Sequence, residues 1–469
     1  MTDRLDNKIR SLMVQVVETS PAAQELEDIM ELRLNTEPVL AVTSLRPGVE
    51  LRPRRRWLVA VVSAAAVLVL VGGAALLLRV TGSDSPVATS PKIESLSTLA
   101  WSRVRYDEAV FGKEFEQAMS SVTVGGPGLV AVGGAGTDAA VWTSPDGVTW
   151  SRVPNDGAVF TRAGMSSVTA WGLGLVAVGQ DEPNAAVWTS PDGVTWSRVP
   201  HDEAVFGGEV GSICGGAGMS SVTVGGPGLV AVGSDGSPDC DGGSDAAVWT
   251  SVDGVTWSRV PHDEVVFGGE TDGYYGQSMS SVTAGGPGLV AVGSDLGRVV
   301  VWTSVDGHVW SRVPHDESVF GGAEMNSVIA GGPGLVAVGS DWLHAVVWTS
   351  VDGITWSRVP PDESVFGGGF DSMHGDIAMS SVTVADPGLV AVGWDPLGAV
   401  VWTSPDGITW VRLPHDEASF AGQPARPDLE MRSVTGAGRG LVAVGADSVH
   451  PTFGRTDSDT AVWVAVPGE

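Results

Sequence analysis

From residue 101 onward, short apolar runs alternate with Gly, Pro and Asp turns, and the alternation repeats. In its first full copy the runs are "MSSVTV", "GLVAVG", "AAVWTS" and "VTWSRVP". Each is short, rich in β-branched residues and bounded by Gly or Pro, a pattern that predicts strands. The "MSSVT" text or a near relative begins at Met119, Met165, Met219, Met279, Met325, Met379 and Met431, at intervals of 46 to 60 residues. Four antiparallel strands per unit, repeated around an axis, make an all-β, seven-bladed β-propeller. The seventh unit stops at Thr460–Val466 without a fourth strand, while orphan fourth-strand text, "WSRVRYDEAVF", stands at Trp101–Phe111. Residues 101–105 are therefore expected to close the last blade and pair two otherwise exposed edges.

Spacing separates scaffold from variation. From each unit's Met to the Gly ending the second strand is 14 residues in all seven units, as from Met119 to Gly133. Length changes fall only between second and third strands and between the fourth strand and the next unit. In an up-and-down blade those two connections leave on one face, so that face is expected to carry recognition. The repeated Trp, seven in third strands (Trp142 to Trp463) and seven in fourth strands (Trp101 to Trp410), read as core. Phe160, Phe206 and their equivalents are expected to wedge between blades. The "HDE" triplets at His201, His262, His315 and His415 stand one per blade, too dispersed to converge on an ion, and read as solvated rim residues.

Upstream the pattern changes. Residues 57–78, "WLVAVVSAAAVLVLVGGAALLL", hold no charge over 22 positions. As a helix they would reach about 33 Å, enough to cross a hydrocarbon core. Arg52, Arg54, Arg55 and Arg56 precede the stretch and only Arg79 closely follows, which predicts a cytoplasmic N-terminus and an extracytoplasmic propeller. The expected organisation is a partly helical cytoplasmic segment (1–56), a transmembrane helix (57–78), a linker (79–100) and the propeller (101–469). Residues 1–56 are also a possible docking site for a cytoplasmic partner. The formal net charge is −29. Residues 1–100 balance at 11 acidic and 11 basic, so the rest carries the whole excess. A surface this acidic argues against nucleic acid, because binding phosphates needs Lys and Arg to displace counterions.

One stretch recurs in six units: Ser144-x-Asp146-Gly147-x-Thr149-Trp150, with its Asp again at Asp192, Asp253, Asp306, Asp352 and Asp406, and Val309 for the Thr in one copy. It resembles the Asp-box, or BNR, repeat of the sialidase-like propellers, one residue shorter between Asp and Gly. The resemblance covers roughly residues 101–466 and implies a propeller scaffold with the motif at the turn between third and fourth strands. Physically the stretch suits a structural bracket. Ser and Asp beside a tight turn accept backbone N–H groups, and Gly147 supplies a positive φ. The family includes exo-sialidases, so a sialidase-like glycoside hydrolase is one alternative. This chain departs from those enzymes in blade number and lacks a recognisable Phe/Tyr-Arg-Ile-Pro motif, and no catalytic residue is assigned.

A binding module fits the remaining features better. Trp342 and Trp394 break the repeat in equivalent loops of adjacent units, and Tyr274, Tyr275, Phe370 and Arg298 join them as ligand-binding candidates on the variable face. Loop aromatics suit stacking on a glycan or anchoring a protein ligand; they also suit plugging the channel mouth. Cys214 and Cys240 lie in two long loops of one unit and are expected to form a disulfide outside the cell. Asp235, Asp239, Asp241 and Asp245 raise Ca²⁺ as a ligand, though their spacing matches no defined loop; no cofactor and no metal site is assigned. A transmembrane sensor working through a cytoplasmic partner is the third reading.

Overall fold

A computed structural model describes residues 99–467 except 113–115, 209–215, 237–243, 269–275, 296, 342, 368–376, 422–428, 439 and 450–456. The chain divides into two compact units, 1–83 and 84–469, and every described residue belongs to the second. The apolar stretch at 57–78 and the cytoplasmic segment lie outside the described residues. Among the described residues no helix is long and apolar enough to cross a membrane.

Seven four-stranded antiparallel sheets form the propeller. Blade 1 is built from Gln117–Gly125, Gly128–Ala135, Asp138–Ser144 and Ser151–Arg152, and blades 2 to 6 repeat that order. In blade 7 the outer strand is Leu99–Arg103, which pairs with Asp457–Pro467 in the register Trp101↔Ala465 and Arg103↔Trp463. Closure thus happens as the repeat implies, but the pairing begins two residues earlier than expected and ends at Arg103. No turn forces the chain to curl before Trp101, so the ladder runs straight through Leu99 and Ala100. Innermost strands of successive blades pack on one another in a closed cycle, blade 7 against blade 1 included.

Each inner strand carries one bulge, between Met119 and Ser121 in blade 1 and at the matching place in the others. The invariant Gly opposite explains the fixed 14-residue spacing: a Cβ on Gly133 would meet Ala118 O at 2.0 Å. The second Ser of "MSS" then reaches across to the next blade. Ser121 Oγ accepts from Val168 N (3.3 Å), Ser221 Oγ from Val282 N (3.3 Å) and Ser433 Oγ from Val122 N (3.2 Å). Six of the seven seams carry this bond.

The core lies between blades. One buried cluster combines Val130, Val132 and Val141 of blade 1 with Val168, Ala177 and Trp188 of blade 2, and Phe160 sits among them. Phe160 is the wedge its spacing implied. It ends a helical turn, Gly157–Phe160, capped by the Asp156 carboxylate accepting from Ala158 N. Trp188, fully buried, donates its indole N–H to Val159 O of that turn at 2.8 Å. A buried indole N–H needs an acceptor, and all seven third-strand Trp find one in the same way. The Asp of three "HDE" triplets, Asp202, Asp263 and Asp316, is this helix cap. His201, His262 and His315 lie on the rim beside Glu203, Glu264 and Glu317 at 2.9–3.1 Å.

Candidate functional site

The two faces of the ring are built differently. On one, each of six blades ends in the Ser-x-Asp-Gly bracket. In blade 1, Ser144 Oγ accepts from Gly147 N (2.8 Å), and Asp146 Oδ1 accepts from Val148 N (2.9 Å) and Thr149 N (2.6 Å). Trp150 Nε1 closes the loop by donating to Gly147 O at 2.7 Å. The same set recurs around Asp192, Asp253, Asp306, Asp352 and Asp406. Backbone N–H groups stabilise the ionised carboxylates, so all six Asp are held below the usual carboxylate range, Asp253 at about 2.

Sequence reading missed that the bracket also joins blades. Gly193 has φ +79°, and a Cβ there would lie 2.7 Å from Val130 Cγ2 of blade 1. Each bracket glycine meets the preceding blade's Val in this way, Gly147 against Val442 at 2.8 Å and Gly407 against Val336 at 2.8 Å. Blade 7 has no bracket. Its outer-strand Trp101 is buried, and its Nε1 is left without an acceptor.

On the opposite face the loops between second and third strands meet the connections to the next blade. Asp138 Oδ1 accepts from Arg162 N (3.0 Å) and Ala217 N donates to Pro183 O (2.7 Å). The Arg162 amide, above all, holds the Asp138 carboxyl below its usual range. Beneath these loops runs a second repeat: an Asp at or near the end of the second strand pairs with the Arg of the outer strand. Arg103–Asp447 (2.7 Å) and Arg312–Asp295 (2.8 Å) are two; Arg198–Asp181, Arg259–Asp235, Arg358–Asp341 and Arg412–Asp395 complete the set. The signal was visible as an Asp 17 residues before the outer-strand Arg in blades 2, 4, 5 and 6.

Of the ligand-binding candidates, Trp394 and Arg298 fall within the described residues; Trp342, Tyr274, Tyr275 and Phe370 lie outside them. Trp394 is half-buried near the loop end of blade 6, paired with Ala378 and Ala399. Its neighbour Asp395 is buried, accepts from Leu397 N (2.7 Å) and Gly398 N (3.1 Å), and pairs with Arg412. Arg412 also donates to Gly367 O at 2.8 Å. The Trp394 backbone is thus held from both sides. Arg298 is exposed at the start of the third strand of blade 4, opposite Asp295. Blade 5 stands between the two.

Below Arg298, Gln277 Nε2 donates to Asp295 Oδ2 and Gly268 O, both at 3.2 Å, leaving Gln277 Oε1 and Asp295 Oδ1 as buried acceptors without donors. In blade 5, His344 bridges Asp341 (Nδ1, 3.1 Å) and Glu363 (Nε2, 3.1 Å), tying the second-to-third-strand loop to the next helical turn. Pro361 stands there in place of the triplet His, so Glu363 takes its imidazole from the loop instead.

Cys214 and Cys240 lie outside the described residues, as do Asp239 and Asp241. Asp235 is committed to Arg259, and Asp245 lies 3.9 Å from His262. Among the described residues no group of three or more His, Cys, Asp or Glu converges on a point where a metal ion could sit.

No family model matches the chain, and no curated protein matches it. Among solved structures it is similar to an α-L-arabinofuranosidase mutant from Fusarium graminearum in complex with an iminosugar inhibitor. That alignment has 14% identity and a TM-score of 0.43, and covers 78% of this chain and 98% of the other. A putative 6-phosphogluconolactonase from Bacteroides uniformis aligns at 12% identity and a TM-score of 0.38, covering 73% and 95% respectively.

Proposed function

We propose that the chain is a single-pass membrane-anchored protein whose extracytoplasmic propeller binds a glycan or protein ligand through its variable-loop face. One observation carries this reading. Insertions gather on one face, over a ring whose blades are fastened to each other by serines, bracket glycines and phenylalanines. A rigid scaffold beneath irregular loops is how binding surfaces are commonly built. Trp394 offers an aromatic edge and Arg298 an exposed cation on that face. Leu99 starts at the bracket end of blade 7, so the tether joins on the face away from the loops.

The binding half is tested by screening the full chain, in detergent, on a glycan array and against extracellular protein ligands. The Trp394→Ala/Arg298→Ala double variant should lose at least tenfold in affinity, equal to about 1.4 kcal/mol, with an unchanged melting temperature. Unaltered affinity in the double variant sinks it. The anchoring half is tested by carbonate extraction of membranes from expressing cells. Release of the chain into the soluble fraction would overturn the anchor.

A further inference from the structure

The inner hairpin turn of one blade ordinarily rests on the bracket of the next. A Cβ on Gly126 would come within 2.6 Å of Asp192 O; the same contact recurs at Gly226 with Asp306 O (2.9 Å), Gly286 with Asp352 O (2.9 Å) and Gly332 with Asp406 O (2.8 Å). Three turns depart from this: blade 6 carries Asp386 at this place and faces blade 7, which has no bracket, and blades 2 and 7 carry a glycine whose Cβ position meets nothing. In blade 2 the turn reads Trp171-Gly172-Leu173-Gly174, and a Cβ on Gly172 would meet nothing within 4 Å. There the Trp171 ring fills the gap, 3.3 Å from the Cβ position of Gly254 in the blade 3 bracket.

In blade 7 the turn carries Ala437 in the place of Trp171, and a Cβ on Gly438 again meets nothing. Ala437 has no ring to fill the gap. Between it and the blade 1 bracket lies a cavity of about 450 Å³, walled by Val124, Leu129, Val148, Val442, Val464 and Val466. The cavity marks the seam where the ring closes. Blade 7 has no bracket, so its third strand runs on through Val466 and Pro467 where other blades curl.

The chain itself points to the occupant. Val466 pairs with Ala100, and Pro467 with Leu99, the first described residue. The segment upstream of Leu99 therefore leaves from the strand end that walls the cavity. It reads Ile93-Glu94-Ser95-Leu96-Ser97-Thr98, with Leu96 three residues and Ile93 six residues away. At roughly 3.3–3.6 Å per residue, these side chains reach about 10 and 20 Å from Leu99. We propose that Ile93 and Leu96 dock into this seam cavity and do for the closing blade what Trp171 does between blades 2 and 3. Apolar side chains gain by leaving water for an apolar wall, and docking staples the ends of the ring beside the seam they close. The inference stands on the propeller alone and is independent of the ligand and of the anchor.

A photo-reactive diazirine residue placed at position 96 of the full chain tests it, using mixed heavy-isotope and light copies. Cross-links to 124–129, 437–442 or 464–466 within one copy are expected. Cross-links joining heavy to light copies would assign the cavity to a second molecule, and a co-purified lipid in native mass spectrometry would assign it to an aliphatic ligand. Either result, or no cross-link to the cavity wall, overturns the proposal. As a second readout, Val148→Asp puts a carboxylate in the wall at a position that is 56% exposed. Hydrogen exchange of residues 93–98 should accelerate at least tenfold while the inner strands keep their protection. Unchanged exchange at 93–98 would also overturn it.

Discussion

The bracket face and the loop face are the two ends of the same strands, yet they are fastened by different physics. At the bracket end the bonds are local: Asp146 captures amides two and three residues ahead, and Trp150 caps a carbonyl three residues behind. At the loop end the tie is an ion pair that crosses the blade, with Arg198 also lying 5.6 Å over the Trp188 ring. A local fastening fixes chain length, so the bracket keeps one length wherever it occurs. A tie made beneath the loops lies below both variable connections, so their lengths can change without breaking it. That is why insertions collect on one face only.

Breaking the loop-end tie should have the largest effect. Asp395 has a fully buried side chain, so Arg412→Ala strands a carboxylate and should cost about 3–5 kcal/mol. Urea unfolding would show it; a loss under about 1 kcal/mol would mean the pair contributes little to the blade. The bracket end comes next. Gly193→Ala forces a Cβ into a left-handed backbone against Val130 and should cost about 2–4 kcal/mol. The equivalent change at Gly172, which has open space but φ +58°, should cost only the backbone part, about 1–2 kcal/mol. Equal losses at the two sites would remove the interblade contact from the account. Ser221→Ala, which deletes one seam bond, should cost about 1 kcal/mol.

Acid should separate the two ends by position rather than size. Because the bracket carboxyls titrate lower in the folded protein than in the unfolded chain, their contribution is intact above about pH 4. It falls away as pH drops through their folded values, near 2 for Asp253. The amide resonances of Val255 and Thr256, which donate to Asp253, should shift with a midpoint near pH 2. A midpoint near 4 would show that the bracket exerts no hold on its carboxylate.

Much of this was legible in one dimension. Trp394 and Arg298 stood out because they interrupt a repeat, and the bracket's amide-accepting role followed from Ser and Asp flanking a Gly turn. The Asp–Arg ties escaped because the outer-strand Arg looks like filler in every copy, and its partner lies beyond an intervening strand and turn. The His344 bridge escaped for a related reason: it replaces a missing triplet His only after loop and helical turn are brought together.

The sequence by itself determined the seven units, their strand order, the orphan strand that closes the ring, and the face on which length varies. Those follow from periodicity and from turn chemistry, both local. Only the tertiary structure decided how neighbours meet. Val122 finds Ser433 across 311 residues, bracket glycines find valines in the preceding blade, and Trp171 plugs a gap that Ala437 leaves open. Such contacts depend on the angle and spacing between blades, which no single repeat encodes. They appear only when the ring closes and each copy meets a neighbour that is almost, but not quite, itself.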